Sequence, residues 1–269
     1  MPQMSLPDTS LASGSGRKRM CFAPSSTDSN RVPARVIGDI IDVGTNDWSA
    51  FVRENKLLVD KTDLLLGIMK PCSSNIIFRP PRFGKTMFFS MTHDFFNVAR
   101  TDEELTERMR IFKEMNIHKV DPTFVDEHCG RYPVIYINLK VDSMAQAISA
   151  VIDEWHYEIY DTSKMEINED RDTFNRMKRD MGSDTYCSVS IPRVLVDYLS
   201  EYYNAPCIVL VDEFDASVAN IPTWTREMVK RYMLELLSPL AKNNNNVRKF
   251  IMVGIDPVNL GSSGGKINN

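Results

Sequence analysis

The chain has 269 residues, 43% of them hydrophobic and 25% charged. This composition excludes a fibrous or wholly disordered protein and gives enough apolar residues for a buried core. The formal net charge of −4 gives no overall attraction to nucleic acid, and no apolar run approaches the roughly 18 residues that a membrane-spanning helix needs.

The N-terminal segment, residues 1–35, is rich in Ser, Pro, Gly and Thr and has few large apolar residues. Such a segment cannot repay the entropy of ordering, so we predict a disordered tail. It lacks the apolar stretch of a signal peptide, and the five cysteines of the chain show no paired spacing. We therefore expect an intracellular protein, cytoplasmic or nuclear, with one domain over residues 36–269.

Apolar periodicity predicts two short helices at the start of this domain, followed by a strand, a loop and a helix. The two helices cover residues 48–54 and 64–69. The apolar run 76–78 predicts a strand, and the amphipathic pattern after the loop 79–86 predicts a helix that continues to Phe96.

Helices and strands alternate along the rest of the domain. The predicted helices cover residues 101–115, 144–160, 191–203 and 225–241. The predicted strands cover residues 132–139, 207–211 and 249–253, and the polar stretch 161–188 reads as a surface excursion. The alternation predicts an α/β fold: a P-loop NTPase-type three-layer α/β/α sandwich with a mainly parallel sheet.

Residues 79–86 carry a phosphate-binding sequence. A P-loop has the form GxxxxGK[ST], in which backbone N–H groups cradle phosphate, the lysine reaches the β and γ phosphates and the hydroxyl holds Mg²⁺. Here Arg79 stands at the first glycine position, and the other three fixed positions match. The residues predicted to bind the nucleotide are Arg82, Phe83, Gly84, Lys85, Thr86 and Met87, with Thr86 also a metal ligand.

An acidic pair ends the later apolar strand. Asp212 can hold Mg²⁺, directly or through water, and Glu213 can polarise a hydrolytic water. Glu213 and Lys85 are therefore the predicted catalytic residues. Asp215 either assists the metal shell or caps the turn after the strand.

Other polar residues are weaker candidates for the same site. Asp256 follows the last predicted strand, where a residue that aligns the attacking water would lie. For neutralising charge in the transition state the candidates are arginines, each of which could equally form a solvated salt bridge. These arginines are Arg79, Arg82, Arg226 and Arg248.

Three segments of the chain resemble motifs of the AAA-ATPase-like family and follow one another in the same order as in that family: residues 59–62, 79–86 and 211–216. Residues 79–86, RPPRFGKT, are similar to its P-loop, which also begins with Arg-Pro, so that the missing first glycine is expected. Residues 59–62, VDKT, resemble its N-terminal motif, and residues 211–216, VDEFDA, resemble its DEYDAP motif with Phe for Tyr. A fourth and weaker match joins residues 253–255 with the terminal Asn pair.

The resemblance implies ATP as ligand, with Mg²⁺. Family members often continue into a nuclease-like domain, and the fifth strand and lid of this NTPase class would fall after Asn269, so the fold is expected to be C-terminally truncated. A protein partner or homo-oligomer stays open, and nucleic acid is suggested by family analogy alone.

Three functions are compatible with these residues. The first is binding and hydrolysis of Mg-ATP. The second is a nucleotide-dependent interaction module with little turnover because the lid is missing. A P-loop kinase ranks last, since a water-activating acid at Glu213 suits hydrolysis.

Overall fold

The structure is a computed structural model, and it describes residues 35–37, 47–54, 58–71, 74–80, 82–140, 144–161, 172, 174–175, 187–215, 223–242 and 244–255. Four of its strands form one parallel sheet. In chain order they are β3 (Ser74–Phe78), β4 (Val134–Asn138), β5 (Cys207–Asp212) and β6 (Val247–Gly254). In space the order is β3-β6-β5-β4, so the last of these strands lies between β3 and β5.

In the part of the chain that the structure describes, six helices pack against one face of the sheet. Alternate strand residues such as Ile208, Leu210 and Ile251 point to this face and join the side chains of these helices in one buried cluster. The helices are α1 (Trp48–Arg53), α2 (Leu64–Ile68), α3 (Lys85–Phe96), α4 (Asp102–Lys113), α5 (Asn116–Val120) and α6 (Pro122–His128).

Within the described residues, four of the helices cover the opposite face. Val209, Val211 and Met252, which alternate with the residues of the first face, join these helices in a second cluster. The helices are α7 (Met144–Glu154), α8 (His156–Tyr160), α9 (Cys187–Tyr203) and α10 (Thr223–Ala241). Helices therefore lie on both faces of a mainly parallel sheet, which confirms the predicted α/β fold.

The predicted elements match the structure in type, with differences at several boundaries. The helix predicted over 144–160 divides at Trp155, and the helix predicted from 191 begins at Cys187. Helices α5 and α6 were not predicted. Most of the stretch 161–188 lies outside the described residues, but Phe174 within it is fully buried in the second cluster, so the prediction of a surface position is wrong for this residue. No helix among the described residues is long and apolar enough to cross a membrane.

A separate antiparallel pair is formed by β1 (Arg35–Ile37) and β2 (Leu58–Asp60). The predicted disordered tail lies outside the described residues except for Arg35, which begins β1.

The motif at residues 59–62 joins this pair to α5. The buried carboxylate of Asp60 accepts hydrogen bonds from the N–H of Thr62 at 3.0 Å, the hydroxyl of Thr62 at 2.7 Å and the N–H of Asn116 at 2.8 Å. The Thr62 hydroxyl oxygen accepts the N–H of Ile117 at 3.0 Å. These contacts satisfy amides at the start of α5, which the helix itself cannot pair. The motif therefore has a structural role.

Replacing Asp60 by Ala is expected to lower the free energy of unfolding by about 3 kcal/mol, because buried donors from two segments lose their acceptor. Urea denaturation followed by circular dichroism measures this change. The matched control is Lys61→Ala at the exposed neighbouring position, which we expect to change the free energy by less than about 0.5 kcal/mol. Equal unfolding midpoints for the two variants would contradict the structural role.

Candidate functional site

The predicted site residues converge at the carboxyl edge of the sheet. Phe78 pairs with Gly254, Val253 with Asp212, and Asp212 with Asn138, so all four parallel strands end at one level. The segments that follow these strands leave the sheet side by side. Ligands of open α/β sheets bind in the crevice at this edge.

The loop after β3 has the backbone conformation of a phosphate cradle. Arg82 and Gly84 both adopt left-handed conformations, with φ of 63° and 71°, and Gly84 is the N-cap of α3. The first hydrogen bond of this helix runs from the N–H of Phe88 to the carbonyl of Gly84 at 2.9 Å. The backbone N–H groups of residues 85–87 therefore form no hydrogen bond within the helix. Such N–H groups at a helix N-terminus favour the binding of an anion.

Side chains of the predicted nucleotide-binding residues point in different directions. Phe83 is 67% exposed, and Arg82 is exposed as well. Met87 packs against the first buried cluster, so its backbone N–H is the group it can offer to a ligand. The Lys85 ammonium donates to the carbonyls of Arg79 at 3.0 Å and Pro80 at 3.2 Å, two neutral acceptors of its own loop.

Asp212 is fully buried at the end of β5 and is held from several sides. Its Oδ1 accepts the N–H of Glu213 at 2.9 Å, and its Oδ2 accepts the hydroxyl of Tyr136 at 3.1 Å. Burial raises the pKa of Asp212 above its usual range, and the neighbouring side chains of Tyr136 and Thr86 act in the opposite direction. Thr86 and Asp212, the two predicted metal ligands, are thus close neighbours.

Glu213 follows Asp212 in a left-handed conformation with φ of 49°. A non-glycine residue in this region carries strain of about 1–2 kcal/mol, and such strain is concentrated at functional sites. Its carboxylate lies 3.6 Å from the ammonium of Lys140, which is 68% exposed. An exposed ion pair of this kind is weak, so the carboxylate can change partner at little cost.

Asp215 is tied to the end of β6. Its Oδ2 accepts the N–H of Ile255 at 2.8 Å. A Cβ on Gly254 would lie 2.6 Å from Phe214 Cε1 and 2.9 Å from Asp215 Oδ1, so the turn after β5 packs directly on this glycine. The Gly254 carbonyl in turn accepts the N–H of Arg79 at 3.1 Å. Of the two roles predicted for Asp215, these contacts support the one that orders the turn.

The structure separates the arginine candidates. Arg248 lies near the amino end of β6, at the opposite end of the strands from Asp212, so it does not belong to the site that contains Asp212. Arg79 and Arg82 are exposed in the phosphate loop. Asp256 and the side chain of Arg226 lie outside what the structure describes.

Tyr136 and Lys140 are site residues that the sequence did not reveal. Both belong to the segment of β4 and the residues just after it, which read only as a buried strand. These two residues lie near the end of β4, the strand that pairs with β5. Their closeness to Asp212 can therefore be inferred only once the strand order is known.

The oxygen atoms at this edge fit a magnesium ion bound with a nucleotide. Mg²⁺ prefers hard oxygen ligands and usually takes one or two from protein, with the others from water and phosphate. The Thr86 hydroxyl and the Asp212 carboxylate are the oxygen atoms that would make this protein contribution. Among the described residues, no group of three or more His, Cys, Asp or Glu could hold a metal ion without further ligands.

Residues 42–262 match the AAA-ATPase-like family, described as a predicted AAA-ATPase. The matched range covers more than half of the chain and includes the phosphate loop as well as Asp212 and Glu213. Comparisons with curated proteins and with solved structures gave no match.

The variants Asp215→Ala and Asp215→Asn test whether Asp215 stabilises the fold as a hydrogen-bond acceptor or through its negative charge. The Ala variant removes the acceptor of the Ile255 N–H and is expected to lower the free energy of unfolding by about 1–3 kcal/mol. The Asn variant keeps a carbonyl oxygen and should lose less than half of that amount. Urea denaturation of both variants measures the difference, and equal losses would contradict the acceptor role.

Proposed function

The chain belongs to the AAA-ATPase-like family, and from this membership we propose that it binds Mg-ATP at the carboxyl edge of its sheet and hydrolyses the β–γ phosphoanhydride bond. The coarser part, a nucleotide-binding role of the ATPase type, follows from the family itself. The bond that is cleaved and the residue roles are our proposal.

The observation that carries the proposal is that the phosphate loop after β3 and the Asp212 carboxylate at the end of β5 meet at one edge of the sheet, with the Thr86 side chain beside Asp212. These residues are distant in the chain and come from the helix after the phosphate loop and from the end of β5. Lys85 and Glu213 are their immediate neighbours. One locus therefore brings together an ammonium group, a hydroxyl and two carboxylates, the kinds of group that phosphoryl transfer from a nucleotide requires.

The phosphate loop would bind the triphosphate. The amides of residues 85–87 would donate hydrogen bonds to phosphate oxygens. Lys85 would exchange the carbonyls of Arg79 and Pro80 for oxygens of the β and γ phosphates, since a charged acceptor makes a stronger hydrogen bond than a neutral one.

Thr86 and Asp212 would hold the magnesium ion beside the phosphates. Bound Mg²⁺ neutralises negative charge on the β and γ phosphates. Glu213 would accept a proton from a water whose oxygen attacks the γ phosphorus, while the bond to the β–γ bridging oxygen breaks. The products are ADP and inorganic phosphate.

A second candidate function is a nucleotide-dependent interaction module with little turnover. One observation favours it: the Glu213 carboxylate lies 3.6 Å from the Lys140 ammonium, a contact that would compete with a water for the proton-accepting oxygen. A module of this kind would bind ATP and act through a protein partner or a second copy of the chain.

Lys85→Ala is expected to weaken ATP binding by roughly 10- to 100-fold, because a charged hydrogen bond to phosphate is lost. Isothermal titration calorimetry with Mg-ATP measures the dissociation constant. Lys113→Ala, on the exposed surface of α4 and paired there with Asp126, is the matched control and should bind as the wild type does. Unchanged affinity of Lys85→Ala would refute the assignment of the phosphate loop.

Glu213→Gln is expected to retain Mg-ATP affinity within about twofold and to lower phosphate release by roughly 100-fold or more, because Gln cannot accept the proton. Glu103→Gln, on the exposed first turn of α4, is the control and should keep wild-type turnover. If the wild type binds Mg-ATP but releases no more phosphate than Glu213→Gln, the interaction module is the better description.

A further inference from the structure

Tyr136 lies against the candidate metal ligand from the neighbouring strand. We propose that its hydroxyl is a positioning group that orients the Asp212 carboxylate for magnesium. The proposal rests on the proposed function, because it concerns how this chain would hold the ion that accompanies ATP. Tyr136 itself would touch neither the ion nor the nucleotide.

The direct contact is the hydrogen bond that the Tyr136 hydroxyl donates to Oδ2 of Asp212 at 3.1 Å. The other carboxylate oxygen, Oδ1, accepts the N–H of Glu213. With one donor on each oxygen, rotation of the carboxylate about its χ2 angle would break both bonds. The plane of the carboxylate is therefore set by a backbone amide on one side and by Tyr136 on the other.

The parallel sheet places Tyr136 within reach of Asp212. Tyr136 pairs with Leu210, and Asn138 pairs with Asp212. Because side chains of a strand alternate between faces, Tyr136 and Asp212 point to the same face, as diagonal neighbours. A diagonal separation of this kind suits a long aromatic side chain, whereas a serine or threonine at residue 136 would be too short.

The ring of Tyr136 is itself held by the helix that carries Thr86. It packs edge-on against Phe89 of α3, with ring centroids 6.2 Å apart and an interplanar angle of 86°. Phe89 is fully buried and lies about one turn after Thr86 in the same helix. The hydroxyl of Tyr136 therefore has a fixed position relative to both candidate ligands.

The consequence for metal binding follows from this fixed orientation. A carboxylate whose two oxygens are already held by donors does not have to be reoriented when a cation binds, and such preorganisation favours binding. Removing the Tyr136 hydroxyl leaves Oδ2 without this donor and lets the carboxylate rotate. Binding of nucleotide without magnesium does not use this carboxylate, so only the additional affinity that magnesium confers should fall.

The test is a titration of ATP with and without Mg²⁺ on the wild type, Tyr136→Phe and Tyr132→Phe. Tyr136→Phe keeps the ring and its contact with Phe89. Tyr132→Phe removes the hydroxyl of another tyrosine, one that contacts His128, and serves as the matched control. Thermal unfolding of each variant checks that the fold is retained.

We expect Tyr136→Phe to reduce the magnesium-dependent gain in ATP affinity by about fivefold or more, with magnesium-free affinity within about twofold of the wild type. Tyr132→Phe should match the wild type in both measurements. A full magnesium gain in Tyr136→Phe overturns the positioning role alone. An equal loss with and without magnesium also overturns it, since that result indicates a purely structural tyrosine. If the wild type binds no ATP, the proposed function fails together with this inference.

Discussion

The buried carboxylate of Asp212 is the constraint that links the separate parts of this fold. A carboxylate that is removed from water needs hydrogen-bond donors, or it destabilises the folded chain. Its donors are the N–H of Glu213 in its own turn and the hydroxyl of Tyr136 in β4, and the Thr86 side chain of α3 lies beside it. Around this one group the chain therefore brings the phosphate loop and two strands to the same place.

Strand β6 lies between β3 and β5, and it connects the phosphate loop after β3 with the acidic turn after β5. Asp215 accepts the N–H of Ile255, the carbonyl of Gly254 accepts the N–H of Arg79, and the carbonyl of Arg79 accepts the ammonium of Lys85. A continuous path of backbone and side-chain hydrogen bonds thus runs from the acidic turn to the phosphate loop. The close packing of the turn on Gly254 leaves no room for a side chain there.

The groups of the site differ in how firmly they are held. Asp212 is fixed by several donors, whereas Lys85 is held by neutral carbonyls and Glu213 by an exposed lysine. A fixed ligand and two groups that can change partner suit a site that must close around a substrate, because weak contacts are exchanged at little cost. The backbone of Glu213, one of these two groups, carries strain of the kind that is concentrated at functional sites.

Sequence alone determined the local features of this protein. The strand, loop and helix around Lys85 and Thr86 depend on apolar periodicity and on a glycine at the N-cap, and both are encoded by adjacent residues. The acidic pair was recognisable because it ends an apolar strand. The α/β fold and the family resemblance followed from the order of such segments.

Tertiary structure decided which distant residues meet. Tyr136 became a partner of Asp212 because β4 pairs with β5 in one register, and a shift of one residue would turn it to the other face. The parallel pairing of β5 with β6 places Arg248 at the end of β6 away from Asp212, and it brings the Ile255 N–H within hydrogen-bond distance of Asp215. Hydrogen bonds between strands are formed by every residue alike, so strand order and register depend on the packing of the whole sheet and cannot be read from a single segment.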